Sequence, residues 1–183
     1  MSKDQRGFTL AELLIGATML AIAIAALLGA FLGQTILNEH ARNLTWAIND
    51  ANRVMERLRQ QNTGAGCTTP SWTAPNECDP GGISACVDTD ADASRTTAWD
   101  DWLSDTVGGG KSIQPDPLTN ELVVVTATGT DPIQLTVAVC WRHRNRVIGE
   151  CTWNGAALAA NDADGDGVID SLAMLSTVMT CRR

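Results

Sequence analysis

The chain has no tyrosine, and only two phenylalanines and two histidines among its 183 residues. Aromatic packing must therefore rest mainly on six tryptophans. His40 and His143 form no metal pair, and there is no Cys-x-x-Cys, which argues against an imidazole or thiolate metal centre. A nucleophile–His–acid set and a Gly-rich phosphate loop are also missing, so nothing points to an enzyme. Cations are scarce: 13 Lys and Arg stand against 21 Asp and Glu, a net charge of −8. That balance argues against a general grip on nucleic acid, which needs clustered positive charge. No cysteine precedes Cys67, no proline precedes Pro70, and no charge interrupts Leu13 to Leu37.

That uncharged stretch is the dominant positive feature. Its polar side chains are Thr18, Gln34 and Thr35, and it exceeds the roughly 20 residues a bilayer requires. Before it lies a short leader, Met1–Gly7, in which Lys3 and Arg6 outnumber Asp4. Such an excess of cations keeps this end cytoplasmic and exports the remainder. A secretory signal would offer a cleavage site after the apolar stretch; here the best small residue, Gly7, lies before it. Glu12 is an anomaly near the start of the segment, because a lone carboxylate at membrane depth costs roughly 2.5–3.5 kcal/mol. It needs a partner, and another copy or relative of the same segment can supply one. Gly16, Ala17, Gly29, Ala30 and Gly33 suit close helix contact, with Gly29 and Gly33 forming a Gly-x-x-x-Gly pair.

The residues Gly7-Phe8-Thr9-Leu10-Ala11-Glu12 resemble the leader junction of type IV pilins and their pseudopilin relatives. The resemblance implies that a membrane prepilin peptidase cuts after Gly7 and methylates Phe8. It also implies that Glu12, fifth in the mature chain, meets the N-terminal amine of a neighbouring subunit. The alternative, an ordinary signal anchor, does not account for leader, Gly, Phe, Glu and apolar run standing in register. Many major pilins have a proline in the second half of this region. Here any kink would rest on Gly29, whose helix cost is only about 1 kcal/mol.

Leu37, Ala41, Leu44, Ile48, Ala51, Met55 and Leu58 recur at alternating four and three, which predicts that they form the buried face of a continuing helix. Asn49, Asp50 and Arg53 fall on other positions. From Phe8 to about Gln60 such a helix is roughly 80 Å long. The expected segments are a leader (1–7), a transmembrane and assembly helix (8–37), its amphipathic continuation (38–61) and an exported head (62–183).

All six cysteines, Cys67, Cys78, Cys86, Cys140, Cys151 and Cys181, lie in that head, as expected for disulfides in an exported domain. Spacing favours Cys67 with Cys78 or Cys86, and Cys140 with Cys151 or Cys181. Residues 62–88 read as a loop region. A short helix follows over Ser94–Val107, with Trp99, Trp102, Leu103 and Val107 inward and Asp100, Asp101 and Asp105 facing water. The paired tryptophans are core or, less economically, a ligand platform. Strands are predicted at Glu121–Thr128, Ile133–Arg142, Arg146–Thr152 and Ser171–Thr180. The fold class is α+β: a long N-terminal helix packed on an antiparallel sheet with disulfide-stapled loops, the type IV pilin architecture. The stretches VCWRHRNRVIGEC and MLSTVMTCR further resemble PilV-type minor pilins.

Two motifs in the head carry chemistry. Asp162, Asp164, Asp166 and Asp170, with Gly167 and the carbonyl of Val168, match the oxygen-ligand spacing of a calcium loop. Position twelve holds Ala173 where a bidentate Glu would stand, so a backbone carbonyl, Asn161 or water must replace it. The other reading is a solvated acidic turn, in which the carboxylates repel without a cation. No organic cofactor is implied. Arg142, His143, Arg144 and Arg146 form a basic cluster, read as a solvated hairpin tip or as a contact for an acidic subunit or for DNA.

The resemblance implies a minor pilin: a structural subunit held in the bacterial inner membrane with its head in the periplasm, then assembled into an extracellular pilus. Its partners would be the prepilin peptidase, the major pilin and other minor pilins. A type II secretion pseudopilin shares the leader, helix and sheet and differs in the machine it serves. A calcium-dependent adhesin merely anchored by its N-terminus is the alternative of another class.

Overall fold

The structure is a computed structural model that describes residues 9–64, 67–74, 98–104, 108–113 and 120–181. Gly7, Phe8, Cys78, Cys86, the expected cap at Ser94, Asp105 and Val107 lie outside them. The chain divides into two compact units, Met1–Ala41 and Arg42–Arg183. Its first element, α1, runs over Leu10–Gln61 and so contributes to both.

In the first unit, α1 presents apolar side chains on every side. Leu10, Leu13, Leu20, Leu28 and Leu32 are all more than half exposed. An 18-residue window of this helix reaches a mean hydropathy of 2.4, enough by length and composition to cross a membrane. Gly16, Gly29 and Gly33 have open space where a Cβ would stand. A neighbouring helix could therefore approach there without displacing anything in this chain.

The second unit is built on a four-stranded antiparallel sheet. It comprises β1 (Glu121–Thr128), β2 (Ile133–His143), β3 (Arg146–Ile148) and β6 (Ala173–Met179). Central β2 pairs β1 along one edge, with Val123 opposite Val139. Along its other edge β6 and β3 follow one another, Met179 opposite Ile133 and Ile148 opposite Trp141. Alternation sends Leu135, Val137, Val139 and Trp141 to the face shared with Ala47, Ala51, Val54, Met55 and Leu58 of α1. Each Val or Leu buried there contributes about 1.5–3 kcal/mol of hydrophobic stabilisation. The short helix α2 (Ala98–Ser104) adds Trp99, Trp102 and Leu103. The two indoles meet edge-to-face at 5.4 Å, and the Trp99 ring N–H donates to the Trp72 carbonyl at 2.7 Å. They are core, not a ligand platform.

The opposite face of the sheet is covered as well. Arg146–Thr152 is not one strand: Gly149, at φ +96°, bends the chain after β3. A separate ribbon follows, formed by β4 (Cys151–Trp153) and β5 (Leu158–Ala160). Leu158, Cys151 and Ile169 pack there with Leu122, Val124, Ala138 and Cys140. The Cys140–Cys151 disulfide fastens this ribbon to β2, one of the two partners its spacing allowed. Cys67 departs from the expectation of a local partner. It bonds Cys181, 114 residues away, because the return of β6 brings its C-terminal end back to the segment that leaves α1.

A buried ionic network rotates the helix face relative to its apolar stripe. Asp50 is fully buried, whereas Ile48, on the predicted stripe, is 36% exposed. The Asp50 carboxylate accepts from the Arg53 guanidinium, from the Ser112 amide (2.8 Å) and from the Ser112 hydroxyl (2.7 Å). Arg53 also donates to the carbonyls of Gly108 (3.0 Å) and Gly110 (2.6 Å). Asp100 does not face water as its place in the sequence suggested. It is 2% exposed, accepting from Lys111 Nζ at 2.7 Å and from the Val123 amide at 2.8 Å. Lys111 Nζ further donates to the Glu121 carbonyl at 2.8 Å. Burying these charges is tolerable because each is paired and hydrogen-bonded. Together they tie α1, α2 and residues 108–113 to the start of β1.

Candidate functional site

At the N-terminus the described chain begins with Thr9, which caps α1. The Thr9 amide and hydroxyl both donate to Glu12 Oε2 at 3.0 Å, and the Glu12 amide reaches back to the Thr9 hydroxyl at 3.3 Å. This is a reciprocal capping box, Thr-x-x-Glu, that satisfies amides otherwise orphaned at a helix start. The reading of Glu12 as an anomaly missed this local role, although the Thr9-Leu10-Ala11-Glu12 spacing carries its signature. Both Thr9 bonds fall on one carboxylate oxygen. Oε1 has no hydrogen-bond partner among the described residues, and Glu12 is exposed.

The acidic loop joins β5 to β6. Asp162 organises it: Oδ1 accepts from the Gly165 amide at 2.7 Å and Oδ2 from the Gly167 amide at 2.8 Å. Gly165 and Gly167 sit at φ +76° and +83°, a region glycine enters without steric cost. Asp164 accepts from the Asp166 amide at 3.2 Å, and Asp166 from the Val168 amide at 2.7 Å. Of the expected ligands, Asp162 and Asp164 come together, joined by Glu150, with one oxygen of each within 4.8 Å of the others. Among the described residues Asp166 and Asp170 do not enter such a group.

Glu150 was not legible from the loop's spacing, since it lies between β3 and β4. Backbone pairing delivers it. The Glu150 amide donates to the Asp170 carbonyl (2.7 Å), its carbonyl accepts from the Asn161 amide (2.9 Å), and the Asp170 amide donates to Glu150 Oε2 (3.0 Å). Ala173, at the vacant twelfth position, is instead a fully buried residue of β6.

Electrostatics differ within the group. The Gly167 amide's hydrogen bond, aided by that of Gly165, lowers the pKa of Asp162. Asp164 is raised. The Asp166 amide favours its charged form, but partial desolvation and the nearby Asp166, Asp162 and Glu150 carboxyls together outweigh that bond. Asp164 thus holds its proton more tightly than a free aspartate does, and Asp162 less tightly.

The basic cluster sits where β2 turns into β3. His143 pairs Arg146, leaving Arg144 and Asn145 as a two-residue turn with Arg144 at φ 58°. Arg142 stacks 4.3 Å over the Trp153 ring and donates to Asn145 Oδ1 at 3.2 Å. The Asn43 amide of α1 lies 3.3 Å from His143 Nδ1.

No curated protein and no solved structure matches the chain. Residues 2–28 do match the prokaryotic N-terminal methylation motif, which supports the general family of type IV pilins and pseudopilins and points to a structural protein, not an enzyme.

Proposed function

We propose that this protein is a minor pilin, of PilV type, of a type IV pilus. It would be cut after Gly7, methylated at Phe8, held in the inner membrane by the apolar part of α1 and drawn into the filament through that helix. Its head would then contact other minor pilins. The observation that carries this reading is Glu12 on an apolar helix directly behind the methylation motif, capped by Thr9 on one oxygen with the other open. An ammonium group from the adjoining subunit can meet Oε1 without breaking the cap. The charge pair would then enter the apolar bundle together, which is far cheaper than burying either group alone.

Purified pili from cells expressing the natural chain should contain a methylated peptide that begins at Phe8. Glu12→Val should be processed and remain in the membrane while disappearing from the filaments. Normal incorporation of Glu12→Val would refute the role given to Glu12.

We also propose that the head takes Ca²⁺ at Glu150, Asp162 and Asp164. The donor set fits a hard ion, since it offers only oxygens and each hydrogen-bonded carboxylate oxygen keeps a second lone pair. With a Kd near 10⁻⁴ M, about 10 mM Ca²⁺ would stabilise the head by about 2.7 kcal/mol. Calorimetry on the full-length protein in detergent tests this. Absence of binding at millimolar ion, with a Tm indifferent to chelator, would sink the assignment.

A further inference from the structure

Two contacts fix the direction of β2 along α1 within the second unit. At one end the Asn62 side-chain amide lies 3.6 Å from Met179 Sδ, and Met179 pairs with Ile133, the first residue of β2. At the other end His143, its last residue, meets Asn43. β2 therefore brings the chain back toward the start of this unit, and the Arg144–Asn145 turn lies at the level of Asn43. Along the sequence Asn43 follows Leu37, the end of the uncharged apolar run, by six positions. Six residues rise about 9 Å as helix and reach about 20 Å even fully extended. The chain thus leaves at most that length of backbone between Asn43 and the end of the apolar run.

The chemistry of the turn suits that place. From Ile133 to Ile148 there is no acidic residue, while Arg142, His143, Arg144 and Arg146 crowd its end. Arg144 and Arg146 are exposed. Two Arg–Trp stacks occur within the second unit: Arg142 over Trp153, and Arg42 4.7 Å over Trp46, with both indoles half-buried. Tryptophan favours the headgroup layer of a bilayer, and the guanidinium fork matches phosphate oxygens.

We infer that the β2–β3 turn, together with Arg42, is a contact surface for the phosphate headgroups of anionic lipids in the membrane that anchors α1. The inference rests on the apolar segment being a membrane anchor. The protein as a whole carries a net charge of −8, so its arginines are where an anionic bilayer finds attraction. Tethering by α1 supplies the proximity that a small arginine cluster could not obtain from solution. An acidic subunit or duplex DNA offers similar charge without that proximity.

Full-length protein is reconstituted in nanodiscs of phosphatidylcholine, alone or with phosphatidylglycerol, in EDTA so that calcium cannot bridge the acidic loop to lipid. Amide hydrogen exchange is then followed over residues 142–148. Exchange should slow by about fivefold or more in the anionic discs, since each arginine near such a surface contributes about that factor. High salt should abolish the effect. Arg146→Gln, an exposed change that leaves the core intact, should remove about fivefold of it. Equal exchange in the two lipids, or protection untouched by Arg146→Gln, overturns the lipid surface while leaving the anchor standing. Protection that duplex DNA or an acidic polypeptide confers, and anionic lipid does not, overturns it likewise. A chain that nanodiscs fail to retain overturns both the anchor and this inference.

Discussion

Glu121→Gln should leave the head almost as stable as the natural chain near pH 5 and make it more stable as pH rises. Glu121 opens β1 and is 1% exposed. Its Oε2 accepts from the Ile113 amide at 3.1 Å, while Oε1 is buried with no hydrogen-bond partner among the described residues. Burial pushes its pKa well above the usual carboxylate value, and the nearby charge of Asp50 pushes it further; the Ile113 amide and Lys111 oppose them without prevailing. Glu121 therefore holds its proton more tightly than an exposed glutamate does. A glutamine keeps an acceptor for the Ile113 amide and brings no charge into the buried site, so the exchange should cost less than about 1 kcal/mol.

The pH dependence separates the two chains. A folded-state pKa raised above the unfolded value gives stability that is complete below the unfolded pKa, near 4.5, and is lost as pH climbs toward the folded one. In that window the natural chain should lose stability relative to Glu121→Gln at up to about 1.4 kcal/mol per pH unit. Urea unfolding of both full-length proteins in detergent, read by tryptophan fluorescence between pH 4.5 and 7.5, measures the difference. Groups common to both chains cancel. Parallel curves, or a glutamine variant that costs more than about 2 kcal/mol throughout, would refute the raised pKa of Glu121.

Lys111→Met should cost about 3–5 kcal/mol, because Asp100 is left charged and buried; adding Asp100→Asn should recover part of that loss, its amide oxygen still accepting from Val123, as denaturant midpoints would show. Replacing Cys67 and Cys181 by alanine should cost about 5 kcal/mol, against about 3 kcal/mol for Cys140 and Cys151, since the two bridges close loops of 114 and 11 residues of separation. Equal losses in paired thermal melts would contradict that ordering.

Sequence alone determined what depends on neighbours along the chain. The uncharged run, the leader and the Glu12 spacing are local facts, and they dictated a long apolar helix behind a processing signal. Glu121–Thr128 became a strand over its full predicted range, and the inward tryptophans of α2 followed from helical spacing. Gly165 and Gly167 take the positive φ that a tight acidic turn demands. The tertiary structure decided whatever depends on groups distant in sequence. Asp50 and Asp100 looked solvent-bound because charge usually stays in water; Arg53, Ser112, Lys111 and Val123 arrive from three different segments to make their burial tolerable. Gly149 split an expected strand because a ribbon was needed to cover the second face of the sheet. Cys67 found Cys181 rather than a nearby thiol because β6 closes the head on the exit of α1. Glu150 joined Asp162 and Asp164 only through backbone pairing with Asp170. Periodicity reports which way a side chain points within its own element. Which partners make a buried charge or a gathered set of carboxylates affordable is fixed only when the elements meet.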